Sequence, residues 1–362
     1  MDELPAVKQR THKPTSPLKW VLAGLLLAVG CGGRNRAIDE AELATNLAVG
    51  IALAPHQDVL VWTTDAEGRE TSVWIRGNAH EAKVVAAGSG VTIPIGTEVW
   101  QWRETEVAVP LCDCEVWEAG EMEGPCPATL EPGWARTVEL VELVSGEAFE
   151  LATAPSEESA DDGPTFIDYG LTAEPIASVG PFLFYQLEEG STACGAAHGS
   201  WSSEFRIFDL SSRELVEVIS PEEHARIEAT EQQTAYELMR DDRLVDIDGA
   251  EDLELTVIEP RWTPGGLGVL YQFTAEASYA DSDDNWGAYT RSVQVPAREL
   301  PAVLLSFALL PEVLSSTILP AGGDVRVGGF GPIAGTDEQI AAILRALGAT
   351  DEPTTEQPAM SQ

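Results

Sequence analysis

Between residues 58 and 103 apolar and polar positions alternate in short runs: DVLVWT (58–63), TSVWIR (71–76), AKVVAA (82–87), VTIPI (91–95) and EVWQWR (98–103). A period of two sends successive side chains to opposite faces, so each run predicts a strand with one face toward a core. Turn formers such as Ala66-Glu67-Gly68 and Gly77-Asn78 separate the runs. Their spacing of about ten residues is that of meandering hairpins. Trp100 and Trp102 stand two apart and so share a face, which predicts core packing. TVELVELV (137–144) and EAFELAT (147–153) form a further hairpin around Ser145-Gly146.

The pattern is strongest over residues 178–219. Phe182, Phe184 and Leu187 predict one strand, and Phe205, Ile207, Phe208 and Leu210 a second. Between them lies Cys194-Gly195-Ala196-Ala197-His198-Gly199, too small and glycine-rich for an element interior. Strands are also expected at LELTVIE (253–259), LGVLYQFTA (267–275) and YTRSVQVP (289–296).

Two segments change to a helical pattern. Pro221 to Arg240 is the one long helix expected: proline suits a first turn, and Glu222 and Glu223 suit the positive end of the helix dipole. Thr336 to Leu347 carries a capping box, with Thr336 as N-cap and Gln339 three residues on. A short helix is expected within 297–310. No internal repeat is evident, and the long helix argues against a propeller.

The predicted fold is therefore α+β and β-rich: an N-terminal β meander or sandwich-like half, then an α+β half with one long helix. The acidic, Pro- and Gly-containing stretch 155–164 (PSEESADDGP) marks the expected linker. The expected organisation is 1–30 signal peptide, 31–49 tether and 50–154 β-rich domain, then the 155–164 linker and a 165–310 α+β domain. A C-terminal extension with a helix (311–349) and a disordered tail (350–362) follow.

The N-terminus sets the compartment. Lys8, Arg10, Lys13 and Lys19 precede the apolar run WVLAGLLLAVG (20–30). Eleven residues are too few to span a bilayer, which takes about 20, but suit a secretory signal. The run ends in Leu27-Ala28-Val29-Gly30-Cys31, which resembles the lipobox of bacterial lipoproteins. That resemblance implies a palmitate-bearing lipid anchor on Cys31 and a place in the cell envelope on the extracytoplasmic side, expected at the outer membrane.

Charge then narrows the partners. The full chain has a formal net charge of −39, and loss of residues 1–30 removes four basic and two acidic residues, giving −41. Such a surface repels phosphate, so nucleic acid is excluded as a partner. A basic protein is the partner class the charge favours.

Besides Cys31 there are Cys112, Cys114, Cys126 and Cys194. An even number in an exported chain predicts two disulfides. Cys112 and Cys114 lie two apart and are poor partners for each other. Two pairings stay open, each joining one of them to Cys126 and the other to Cys194.

GAAHGSWSSEFRIFDLSSRELVEVISPEEH (195–224) is similar to the extracytoplasmic domain of RsiV-type anti-sigma factors. Ala197, His198 and Gly199, then Phe208, Asp209 and Leu210, carry the likeness. Ser211-Ser212-Arg213 lacks the glycine usual in that family's hairpin. Residues 267–304 resemble the family's closing strands, with Val295, Pro296 and Leu300 in an Ile-Pro-x-x-x-Leu-like position. The resemblance covers at most residues 165–305. It implies an α+β module that binds at the cell envelope, in one branch to lysozyme, without catalysis of its own.

The candidate ligand-binding residues are Gly195, His198, Gly199, Tyr279, Trp286 and Tyr289. Asp246, Asp248 and Asp252 offer carboxylate oxygens around Gly249 and are the candidate metal ligands, for Ca²⁺. No catalytic constellation is found: the serines near His198 sit in no G-x-S-x-G context, and no histidine pair has ligand spacing. A binding module, for a basic protein or a cell-wall-related ligand, is the leading expectation. An enzyme of envelope polysaccharide and a purely structural surface lipoprotein are the alternatives.

Overall fold

The computed structural model describes residues 58–65, 67–76, 81–85, 90–109, 133–154, 166–193, 199–240, 249–263, 265–276, 290–310 and 325–348. The described chain is strand-rich with few helices, as the alternating pattern predicts. Three sheets form it. The first orders four antiparallel strands β15-β1-β2-β3: β1 (Asp58–Asp65), β2 (Glu70–Arg76), β3 (Glu81–Val85) and β15 (Val325–Ile333).

The second sheet has eight strands, ordered β11-β10-β9-β8-β6-β5-β4 with β7 also on β6. They are β4 (Thr92–Ile95), β5 (Glu98–Val109), β6 (Gly133–Glu142), β7 (Ala148–Ala152), β8 (Phe166–Val179), β9 (Phe182–Ala193), β10 (Ser200–Asp209) and β11 (Glu214–Leu215). The third is β12 (Glu254–Thr263), β13 (Gly266–Glu276) and β14 (Thr290–Pro296). Two α-helices accompany them, α1 (Pro221–Arg240) and α2 (Asp337–Ala346), with 3₁₀ turns at Ala250–Asp252 and Ala302–Phe307.

Local expectations hold well. α1 spans the predicted residues, and the Ser220 hydroxyl accepts a hydrogen bond from the Glu223 N–H at 3.2 Å. Thr336 caps α2: its hydroxyl accepts from Gln339 N–H, and the Gln339 side chain accepts from Thr336 N–H at 2.8 Å. Trp100 and Trp102 are both fully buried. The turn after β10 lacks the usual glycine, and Arg213 takes the left-handed conformation there, with φ 63°. A side chain in that region costs of order 1 kcal/mol.

Two expectations need correction. The expected extension with a helix, residues 311–349, also holds a strand that was not expected: Val325–Ile333 forms β15 and pairs along the whole of β1, from Asp58↔Ile333 to Asp65↔Val325. VRVGGFGPI reads poorly as a strand because glycines weaken strand interiors. Here they are needed: a Cβ on Gly328 would enter the Trp62 ring, and one on Gly329 would meet Ser178 and the Trp62 indole nitrogen. The second correction concerns two halves meeting at 155–164. That stretch lies outside the described residues, but β4–β7 before it and β8–β11 after it share one sheet, through a short parallel β6–β8 pairing at Trp134↔Gly170 and Ala135↔Leu171.

Ser178 ties the sheets together. Its hydroxyl accepts from Trp62 Nε1 at 2.9 Å, and its carbonyl from Trp262 Nε1 at 3.3 Å. Trp262 stacks edge-on against Phe330, ring centres 4.7 Å apart. Each buried indole N–H thus has a partner, as burial requires. The main core lies where the three sheets and α1 meet, around Phe184, Ile227, Tyr271 and Phe273.

Candidate functional site

β11 is only two residues long, pairing Leu215 with Phe208 and Glu214 with Asp209. The chain then leaves the sheet edge through Val216–Ile219 and turns into α1. A groove of about 790 Å³ opens between these departing segments. Glu204–Ile207 of β10 form one wall, Leu215–Ile219 run along it, and Pro221, His224, Ala225 and Glu228 of α1 face Leu255, Thr256 and Ile258 of β12.

The groove has an apolar floor and an acidic rim. Phe205 packs onto Phe184 with ring centres 6.1 Å apart, and Ile207, Val218, Ile219, Leu255 and Ile258 continue the surface. Leu215 is 55% exposed at its mouth. Glu204, Glu217 and Glu228 stand on the rim. Two basic side chains accompany them. Arg206 donates to Glu204 at 2.6 Å, and that bond holds the Glu204 carboxyl below its ordinary range. His224 Nδ1 lies 3.4 Å from Glu228 Oε2. Acids outnumber basic side chains on the rim, so the groove suits a ligand with apolar and positive groups.

A second hollow, of about 700 Å³, lies on the opposite side of β10, lined by Glu150, Tyr169, Leu187, Glu189 and Arg206 among others. Burial, then the neighbouring Glu189, pushes the Tyr169 phenol well above its ordinary range, so it stays neutral. β10 thus separates two grooves, each with apolar and acidic side chains in its lining.

Of the sequence-derived ligand candidates, Gly199 is described. It is exposed and directly precedes β10, and a Cβ there would come within 2.7 Å of Thr192 Oγ1. Gly195, His198, Tyr279, Trp286 and Tyr289 lie outside the described residues, as do Cys31, Cys112, Cys114, Cys126 and Cys194. Asp246 and Asp248 also lie outside them. Asp252 is exposed and accepts a hydrogen bond from Gly249 N–H at 3.0 Å, the role of a turn cap. Among the described residues no group of three or more His, Cys, Asp or Glu side chains could hold a metal ion. No helix among them is long and apolar enough to cross a membrane.

The groove was not visible in the sequence. Its one local sign is Leu215-Val216 and Val218-Ile219 just before Pro221, more apolar surface than a two-residue strand can bury.

No family model matches the chain, and no curated protein matches it by sequence. Two solved structures show some likeness. A DUF3298 family protein from Pseudomonas aeruginosa is 12% identical, with 61% of this chain and 97% of that one covered and a TM-score of 0.30. A member of the DUF3298 family from Bacteroides fragilis is 11% identical, with 62% and 99% covered and a TM-score of 0.27.

Proposed function

We propose that this chain is an envelope-anchored acidic lipoprotein that acts by binding a basic protein in the groove between β10, α1 and β12. Its lipid sits on Cys31, which tethers the folded region to the extracytoplasmic side of the membrane, at the outer membrane. The likeness of residues 165–305 to the RsiV-type extracytoplasmic domain supports a binding role. The observation that carries the reading is an apolar groove rimmed by Glu204, Glu217 and Glu228 on a chain of net charge −39. Long-range attraction speeds encounter with a cation, while the apolar floor supplies contact that salt does not screen.

The test is a titration of the full-length chain in non-ionic detergent with two basic proteins, lysozyme and cytochrome c, at about 0.02 and 0.15 M salt. Site-specific binding of at least one persists at the higher salt and weakens tenfold or more in the Glu217→Lys, Glu228→Lys double variant. Binding of both that vanishes at the higher salt, or that ignores the double variant, contradicts the reading.

A further inference from the structure

β10 has an open edge. One side pairs with β9 without a break, from Ser200↔Ser191 to Asp209↔Phe182. The other side pairs with β11 only at Phe208 and Asp209. Among the described residues nothing pairs with that side between Ser200 and Arg206. Backbone groups of a strand alternate between its two sides. Val216 N–H donates to Ile207 O at 2.9 Å and Arg213 N–H donates to Asp209 O at 2.7 Å, so odd-numbered residues face the β11 side. The N–H and C=O groups of Trp201, Ser203 and Phe205 therefore point out of the sheet. Natural edges of this length are usually blunted by proline, a bulge or an inward charge. β10 has no proline and no bulge, and its odd residues are Trp201, Ser203, Phe205 and Ile207.

Resting on the binding function proposed above, we infer that the ligand is recognised by strand addition: an extended segment of the basic partner hydrogen-bonds to Trp201, Ser203 and Phe205 and becomes the next strand of the sheet. The open edge from Trp201 to Phe205 is about 14 Å long, enough for about five residues of the segment. Its side chains alternate between the two faces of β10. On one face they enter the apolar groove beside Phe205 and Ile207. On the other they lie beside Glu204 and its ion-pair partner Arg206, with Glu189 on β9 opposite Ser202, so two acids face one cation there. The fitting sequence is thus alternating apolar and basic. The acids favour lysine or arginine there, and like charge rejects acidic segments.

The probe is an acetylated, amidated eight-residue peptide of alternating valine and lysine, titrated against the full-length chain at about 0.15 M salt. Two derivatives are N-methylated, one at every valine and one at every lysine. In a strand pairing only one alternating set of amides faces β10, so one derivative loses binding at least twentyfold and the other stays within threefold. Ser203→Pro removes an N–H that faces outward and that the fold does not use. It abolishes peptide binding while leaving the urea midpoint within about 0.5 M. Equal effects of the two derivatives, or unaltered binding to Ser203→Pro, overturn strand addition; if lysozyme still binds at the groove, the function proposed above survives. A free protein that doubles in mass, and loses this in Ser203→Pro, puts a second copy on the edge and overturns the basic-segment proposal.

Discussion

Glu70 opens β2, where burial, then the nearby carboxylates Glu104 of β5 and Glu174 of β8, pushes its pKa from 4.5 up to about 8. The native state therefore favours the protonated acid. Its contribution to stability is fully present below pH 4.5 and is lost as pH rises through about 8. The interval between 4.5 and about 8 corresponds to about 4.8 kcal/mol at 1.36 kcal/mol per pH unit. Glu70 is partly exposed, and solvent screening reduces the figure to about 2–3 kcal/mol. Glu70→Gln keeps the shape and removes the titration. Urea unfolding of the parent and the variant at pH 5, 7 and 8.5 measures the difference, and every other titrating group is common to both. The variant is within about 1 kcal/mol of the parent at pH 5 and gains about 2 kcal/mol or more by pH 8.5, with an unchanged m-value. A difference that is constant with pH, or that shrinks as pH rises, refutes the burial argument.

Gly329→Ala places a methyl between Ser178 and the Trp62 indole and costs about 1–3 kcal/mol or more by overpacking, read as a lowered urea midpoint. Cys31→Ala releases the protein from the membrane fraction; unaltered fractionation rules out the lipid anchor. Peptide mapping without reductant finds two disulfides among Cys112, Cys114, Cys126 and Cys194, each contributing about 2–4 kcal/mol; four free thiols refute them.

What could be read from the sequence was what neighbouring residues decide. Pro221, Glu222 and Glu223 start α1, Thr336 and Gln339 cap α2, and the two-residue period places Trp100 and Trp102 inside. What could not be read depends on distant pairing. Nothing near Asp58 indicates that Ile333 will lie beside it, and the glycines of β15 disguise a strand whose small residues exist to admit Trp62. The shared sheet rests on two residue pairs between β6 and β8, too little to leave a pattern. The candidate site was missed for the same reason. It is made by the early end of β11 and by the approach of α1 and β12, whereas the sequence drew attention to the glycine-rich turn just before β10.

Amide hydrogen exchange at Trp201, Ser203 and Phe205, with and without the alternating valine–lysine peptide, tests the central claim most directly. In the free protein these three amides exchange quickly while Ser202, Glu204 and Arg206, bonded to β9, exchange slowly. Saturating peptide slows the three odd-numbered amides at least tenfold and leaves their even-numbered neighbours unaltered. Binding that protects none of the three, or that slows odd and even positions alike, contradicts recognition at the edge of β10.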